Sequence, residues 1–82
     1  MRLDKYLKVA RIIKRRTVAN DACDGEHVTV NGRTAKASYE VKAGDLITVA
    51  FGKRSLTVRV TSVAPTVKKE DSASLYEIVS QE

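Results

Sequence analysis

Apolar residues recur at helical spacing over the first ten positions. Leu3, Tyr6, Leu7 and Ala10 fall on one side of a short helix, and Asp4, Lys8 and Arg11 fall on the other. Ile12 and Ile13 break that period and predict a turn packed inward. A second helix is expected from Arg15 to Asp24, burying Val18, Ala19, Ala22 and Cys23, with Gly25 following where a left-handed C-terminal residue is favoured. From Glu26 the pattern alternates. His27 to Val30 reads as a strand running into Asn31-Gly32, a strong hairpin signal, and Arg33 to Ala35 reads as its return. A turn at Ala43-Gly44-Asp45 precedes a third strand, Leu46 to Phe51, with Ile47, Val49 and Phe51 on one face. After a short loop at Gly52 to Ser55, Leu56 to Val63 alternates, with Leu56, Val58 and Val60 inward and Thr57, Arg59 and Thr61 outward. Pro65 ends that strand, Lys68 to Ser74 is polar and predicts a mobile loop, and Leu75 to Val79 predicts a last strand closing the sheet.

The order of elements gives an α+β class: two short N-terminal helices packed on a small, twisted antiparallel sheet. Neither helix is long enough to persist alone, so tertiary packing must decide where its polar side chains point. Eighty-two residues, 43% of them hydrophobic, suffice for one domain with one modest core.

Charge sharpens the picture, because it is not evenly spread. Seven of the first sixteen residues are basic (Arg2, Lys5, Lys8, Arg11, Lys14, Arg15 and Arg16) and only Asp4 opposes them, so this segment carries +6 of a chain total of +5. A compact positive patch on an otherwise balanced chain points to a polyanion, RNA or DNA first; an acidic membrane surface or plain solvated helix faces are the bland alternatives. Two details favour nucleic acid. The repulsion is nearly uncompensated, and Arg15 and Arg16 sit at a helix start, where cations oppose the macrodipole but phosphates are welcome. Asp4 has two readings that stay open: it pairs locally with Lys8 or an arginine and holds the cations in register, or it accepts a hydrogen bond from a base amino group or ribose hydroxyl. Arg33 and Lys36, in and after the hairpin turn, would extend a basic rim if the hairpin lies beside the helices.

Other chemistry is sparse. One cysteine, Cys23, and one histidine, His27, provide neither a disulfide nor a zinc site, and Cys23 is expected in the core. Glycine-rich phosphate loops, paired catalytic carboxylates and metal-ligand spacings are missing, so no enzyme, cofactor or metal is expected. Four aromatics (Tyr6, Tyr39, Phe51 and Tyr76) are too few for a base-stacking platform, so readout by backbone and shape is expected, which suits folded RNA. Apolar runs are far shorter than the roughly 20 residues of a membrane helix, and Arg2, Lys5 and Lys8 interrupt any signal peptide; a cytoplasmic protein is expected.

Arg2-Leu3-Asp4-Lys5-Tyr6-Leu7, followed by Arg11, Lys14-Arg15-Arg16, Gly25 and Val28-Thr29-Val30-Asn31-Gly32, resembles the RNA-binding domain named after small-subunit ribosomal protein four, the S-four domain. Lys36-Ala37-Ser38, Val41-Lys42 and Gly44-Asp45 continue the pattern, which covers about residues 1–51. The resemblance implies the S-four-type (αL-motif) fold, with residues 1–63 as the RNA-binding domain and 64–82 adding a loop and a strand to the same domain. It implies that the two helices and the hairpin face RNA, with Arg2, Asp4, Lys5, Arg11, Arg15 and Arg16 at the matching positions; Lys8, Lys14, Arg33 and Lys36 join the candidate RNA-binding residues on charge and position. Family members often carry Ser or Thr as a helix cap where Arg15 stands, and arginine cannot cap, so a different start to the second helix is expected. Within the family the chain is similar to small stand-alone quality-control members. The heat-shock branch carries a long basic C-terminal extension, and this sequence reaches Glu82 without one. That likeness implies a monomer on large ribosomal subunits obstructed by peptidyl-tRNA, contacting rRNA and tRNA. There it would support alanine tailing of stalled chains beside the factor that delivers charged tRNA. A heat-shock-type rescue or rRNA-assembly factor, and a protein–protein adaptor for a translation factor, are the alternatives.

Overall fold

The computed structural model describes residues 1–63 and 75–81. Helices α1 (Leu3–Val9) and α2 (Arg16–Asp24) precede strands β1 (Val28–Val30), β2 (Arg33–Thr34), β3 (Leu46–Phe51), β4 (Arg54–Val60) and β5 (Tyr76–Gln81). All neighbouring strands pair antiparallel in one sheet of order β2-β1-β3-β4-β5. The α+β arrangement is therefore as expected. β4 stops at Val60 instead of Val63, and β5 runs two residues past Val79. The expectations for Pro65 and for Lys68 to Ser74 lie outside the described residues.

The two periodicities meet in one core. Leu3, Tyr6, Leu7 and Ala10 from α1, and Ala19 and Cys23 from α2, pack on Val28, Val30, Ile47, Val49, Val58 and Val60 of the sheet. Burying each large aliphatic side chain is worth about 1.5–3 kcal/mol. Leu75, just before β5, joins this core, and its carbonyl accepts the Tyr6 hydroxyl at 2.6 Å. Burial pushes the Tyr6 phenol well above its ordinary pKa, so it stays a donor. Burial does the same to the Cys23 thiol, pushed up to about 11, which leaves it an inert core group.

Asn31 and Gly32 both have positive φ, 54° and 85°, as a two-residue hairpin of the mirror-image turn type requires. Asn31 also works sideways. Its amide nitrogen donates to Asp45 at 3.1 Å, and its oxygen accepts the Leu46 amide at 3.0 Å. Asp45 further accepts the Tyr39 hydroxyl and the Lys42 amide, each at 3.0 Å. Burial alone would raise its pKa, but these donors outweigh it and hold the carboxyl below the usual range.

Phe51 follows Ile47 and Val49 in the alternation of β3 but lies at the strand's end and remains 45% exposed. Two expectations fail for physical reasons. Val18 is 51% exposed, because Ala19 and Cys23 take the inward positions of α2. Gly25 is not left-handed, with φ −84°; Glu26 is, with φ 66°. The Glu26 amide bonds the Cys23 carbonyl at 3.1 Å and the His27 amide bonds the Ala22 carbonyl at 2.9 Å, the paired bonds of a Schellman motif. Gly25 is needed for space instead. A Cβ there would stand 2.9 Å from the Asp21 carbonyl oxygen and 3.1 Å from the His27 ring. α1 ends the same way: Arg11 has φ 60°, its amide bonds the Lys8 carbonyl, and the Ile12 amide bonds the Leu7 carbonyl, both at 3.0 Å.

Candidate nucleic-acid interface

The site begins with how α1 starts. Residues 37–41 run beside the first residues of the chain, so the Leu3 amide reaches the Tyr39 carbonyl at 2.8 Å and the Asp4 amide reaches the Ala37 carbonyl at 3.3 Å. The Val41 amide bonds the Met1 carbonyl at 2.9 Å, and the terminal ammonium pairs with Glu40 at 2.7 Å, which lowers the Glu40 pKa. The Lys5 amide is taken by the Asp4 carboxylate at 2.8 Å. The orphan donors of the helix start are thus satisfied by backbone and by one side chain.

Asp4 then departs from its expected place. Helical spacing puts it on the solvent face, paired with Lys8, yet it is only 2% exposed and its partners are elsewhere. Arg2 Nε donates to Oδ1 at 3.2 Å and Arg2 Nη2 to Oδ2 at 3.5 Å, while α2 brings Arg16 Nε and Asn20 Nδ2 to Oδ2, each at 3.3 Å. Burial would raise the Asp4 pKa. The hydrogen bonds from Asn20, the Lys5 amide and Arg16, with the Arg16 charge, outweigh that and lower it. Of the two readings of Asp4, the local one describes its surroundings, with arginines as partners in place of Lys8.

Both arginine side chains remain about half exposed while their carboxylate anchor is buried. A guanidinium carries five N–H donors. Arg16 commits its Nε and Arg2 its Nε and one Nη to Asp4, so each retains donors for an incoming phosphate. Arg2, Asp4, Arg16, Thr17, Asn20 and Asp21 together line a shallow open depression. Asn20 and Thr17 escaped the sequence reading. The available signal was spacing: Asn20 lies four residues after Arg16, on the same flank of α2.

The remaining basic residues divide. Lys8, Lys14 and Arg15 are exposed on α1, the connection and the start of α2, and Lys5 is half-buried. Arg15 is the extended N-cap of α2 and makes no side-chain cap bond, so the helix proper starts at Arg16, one residue later than expected. Arg11 projects from the left-handed turn that ends α1. Lys36 is exposed next to Ala37, which touches both helices: its carbonyl accepts the Asp4 amide and its amide donates to Asp24 at 3.2 Å. Arg33 lines a separate depression with Asn31 and Tyr39. Lys36 thus lies next to a residue bonded to both helices, whereas Arg33 lines the other depression.

The S4 domain profile matches residues 1–47. The RQC P-site tRNA stabilizing factor of Bacillus subtilis (strain 168) is 50% identical over 82 residues, covering 100% of this chain and 95% of its own length. The protein of the same name from Halalkalibacterium halodurans is also 50% identical over 82 residues, covering 100% of this chain and 93% of its own. Among solved structures, the trimeric Heat Shock Protein 15 of Vibrio cholerae superimposes with a TM-score of 0.89 at 31% identity, covering 96% of this chain and 81% of that one. The resemblance drawn from the sequence is borne out, both to the quality-control proteins and to the heat-shock relative.

Proposed function

The chain belongs to the S4 domain family, and on that premise we propose that it is a non-enzymatic RNA-binding factor of bacterial ribosome-associated quality control. The observation that carries the proposal is the buried Asp4 carboxylate gripping two half-exposed arginines from different parts of the chain. An arginine anchored at Nε has lost much of its rotamer freedom before RNA arrives, so less entropy is lost when a phosphate is bound. The uncapped first turn of α2 adds backbone donors to the same surface. The surface docks on rRNA of a large subunit obstructed by peptidyl-tRNA and contacts the tRNA, in keeping with the role that the relatives' name states. The chain acts there as a monomer and supports alanine tailing of the stalled nascent chain beside the factor that delivers charged tRNA. Residues 1–63 supply the RNA-binding domain, and the segment from 64 onward belongs to that same domain.

Arg2→Ala and Arg16→Ala should each abolish co-sedimentation with large subunits holding peptidyl-tRNA while leaving the folded state intact. Unchanged co-sedimentation of both folded variants would sink the proposed surface. The structural likeness to the heat-shock protein favours one second reading, a rescue or assembly factor that prefers free large subunits over those holding tRNA. Crosslinking to RNA in cells with and without stalled translation separates the two.

A further inference from the structure

The Asp4 cluster uses one flank of α2 and leaves the other open. On that other flank Ile12, Val18, Ala22, His27 and Phe51 line an apolar groove between the α1–α2 connection, the helix and the end of β3. Val18 and Phe51 are half exposed there. A second depression shares Phe51 and adds Arg54 and Leu56. The groove is continuous with the basic surface, because residues 11–15 serve both. Ile12 and Ile13 form part of its wall, while Arg11, Lys14 and Arg15 on the same stretch are exposed cations. On the Phe51 side, Lys53 in the β3–β4 turn and Arg54 at the start of β4 are exposed too. Among the described residues, no acidic side chain lines the groove.

We propose that this groove receives an unpaired nucleobase of the bound RNA, stacked against the Phe51 ring, with its flanking phosphates held by the cations on the two banks. The proposal rests on the RNA-binding reading and extends it from the arginine surface to the far flank of α2. An apolar floor between two cationic banks suits a ligand whose flat face is apolar and whose backbone is anionic. Continuity with the arginine surface through residues 11–15 makes RNA the occupant, since an RNA crossing Arg11, Lys14 and Arg15 passes the groove's mouth. Among the described residues that line the groove, His27 has the one polar side chain, so the groove detects that a base is unstacked and not which base it is.

The test uses two RNA hairpins that are identical except for one bulged fluorescent purine. Wild-type protein should bind the bulged hairpin more tightly and quench the purine as it stacks. Phe51→Ala should lose that preference, about tenfold for one base–aromatic stack, and lose the quenching, while binding the fully paired hairpin as wild type does. Val18→Thr, a milder change in the groove wall, should move both readouts in the same direction and guards against misfolding of the first variant. Equal binding of both hairpins by wild-type protein, or undiminished preference in the two folded variants, overturns the groove and leaves the arginine surface standing. If neither hairpin binds, the RNA-binding reading falls as well. If Phe51→Ala keeps both affinities yet releases the protein from large subunits, the occupant is a protein segment and the nucleobase proposal is wrong.

Discussion

Asp4 has opposite effects on the surface above it, subtracting one charge from a basic patch and fixing two of the arginines that remain. If patch charge alone mattered, Asp4→Asn would strengthen binding. If arginine placement matters, it should weaken binding to obstructed large subunits despite the added net charge, which a titration of both proteins at one salt concentration decides. The same residue sets a pH dependence. Its folded pKa lies below the unfolded value, so its stabilisation is complete above about pH 4 and is lost as pH falls through the lowered folded value. Asp4→Asn should cost about 2 kcal/mol at neutral pH, the scale of hydrogen bonds to a buried charge, and should lose less stability on acidification than the wild type. Denaturant melts of both proteins across that range measure it; Asp45, lowered in the same direction, supplies the acid sensitivity that persists. The helical wheel of α1 alone misplaced Asp4. What buries it are Arg16 and Asn20, 12 and 16 residues onward, and no local period encodes that packing.

At the level of elements, the strands were the more legible part. Asn31-Gly32 fixed the first hairpin, and alternation located β3 to the residue, because a strand with one buried face must keep its period of two. The helix ends were less legible. Glycine marked the end of α2, but positive φ fell on Glu26, since the choice of left-handed residue depends on which carbonyls the next two amides reach. Val18 was misassigned because a nine-residue helix lying against α1 and β1 buries only a narrow stripe, here Ala19 and Cys23. α1 shows the reverse case, a left-handed Arg11 at the position that glycine normally fills. Arg11→Gly should therefore stabilise the fold by up to about 1 kcal/mol in thermal or denaturant melts and still weaken RNA binding. A variant that is less stable than wild type would contradict the strain, and unchanged affinity would remove Arg11 from the interface.

On the scale of the whole molecule, charge and fold are arranged separately. The chain is +5 overall, with the excess concentrated in residues 1–16, on α1, its two ends and the connection to α2, while the sheet carries mainly the core. Binding dominated by such a patch releases counterions, so affinity for large subunits should fall steeply between about 50 and 200 mM salt. Arg15→Ala should reduce the slope of log affinity against log salt by about one. A wild-type affinity indifferent to salt would point to contacts other than phosphates. The charge asymmetry was plain in the sequence; which flank of α2 joins the Asp4 cluster was not, because it depends on how two marginal helices dock.

The hydrogen bond from Tyr6 to Leu75 spans 69 positions and sits in the core that carries α1. Contacts so distant along the chain are slow to find, and they close late in folding. Any fragment that ends before Leu75 lacks both that acceptor and the side chain that completes the core under α1, so the first helix of the chain depends on nearly its last strand.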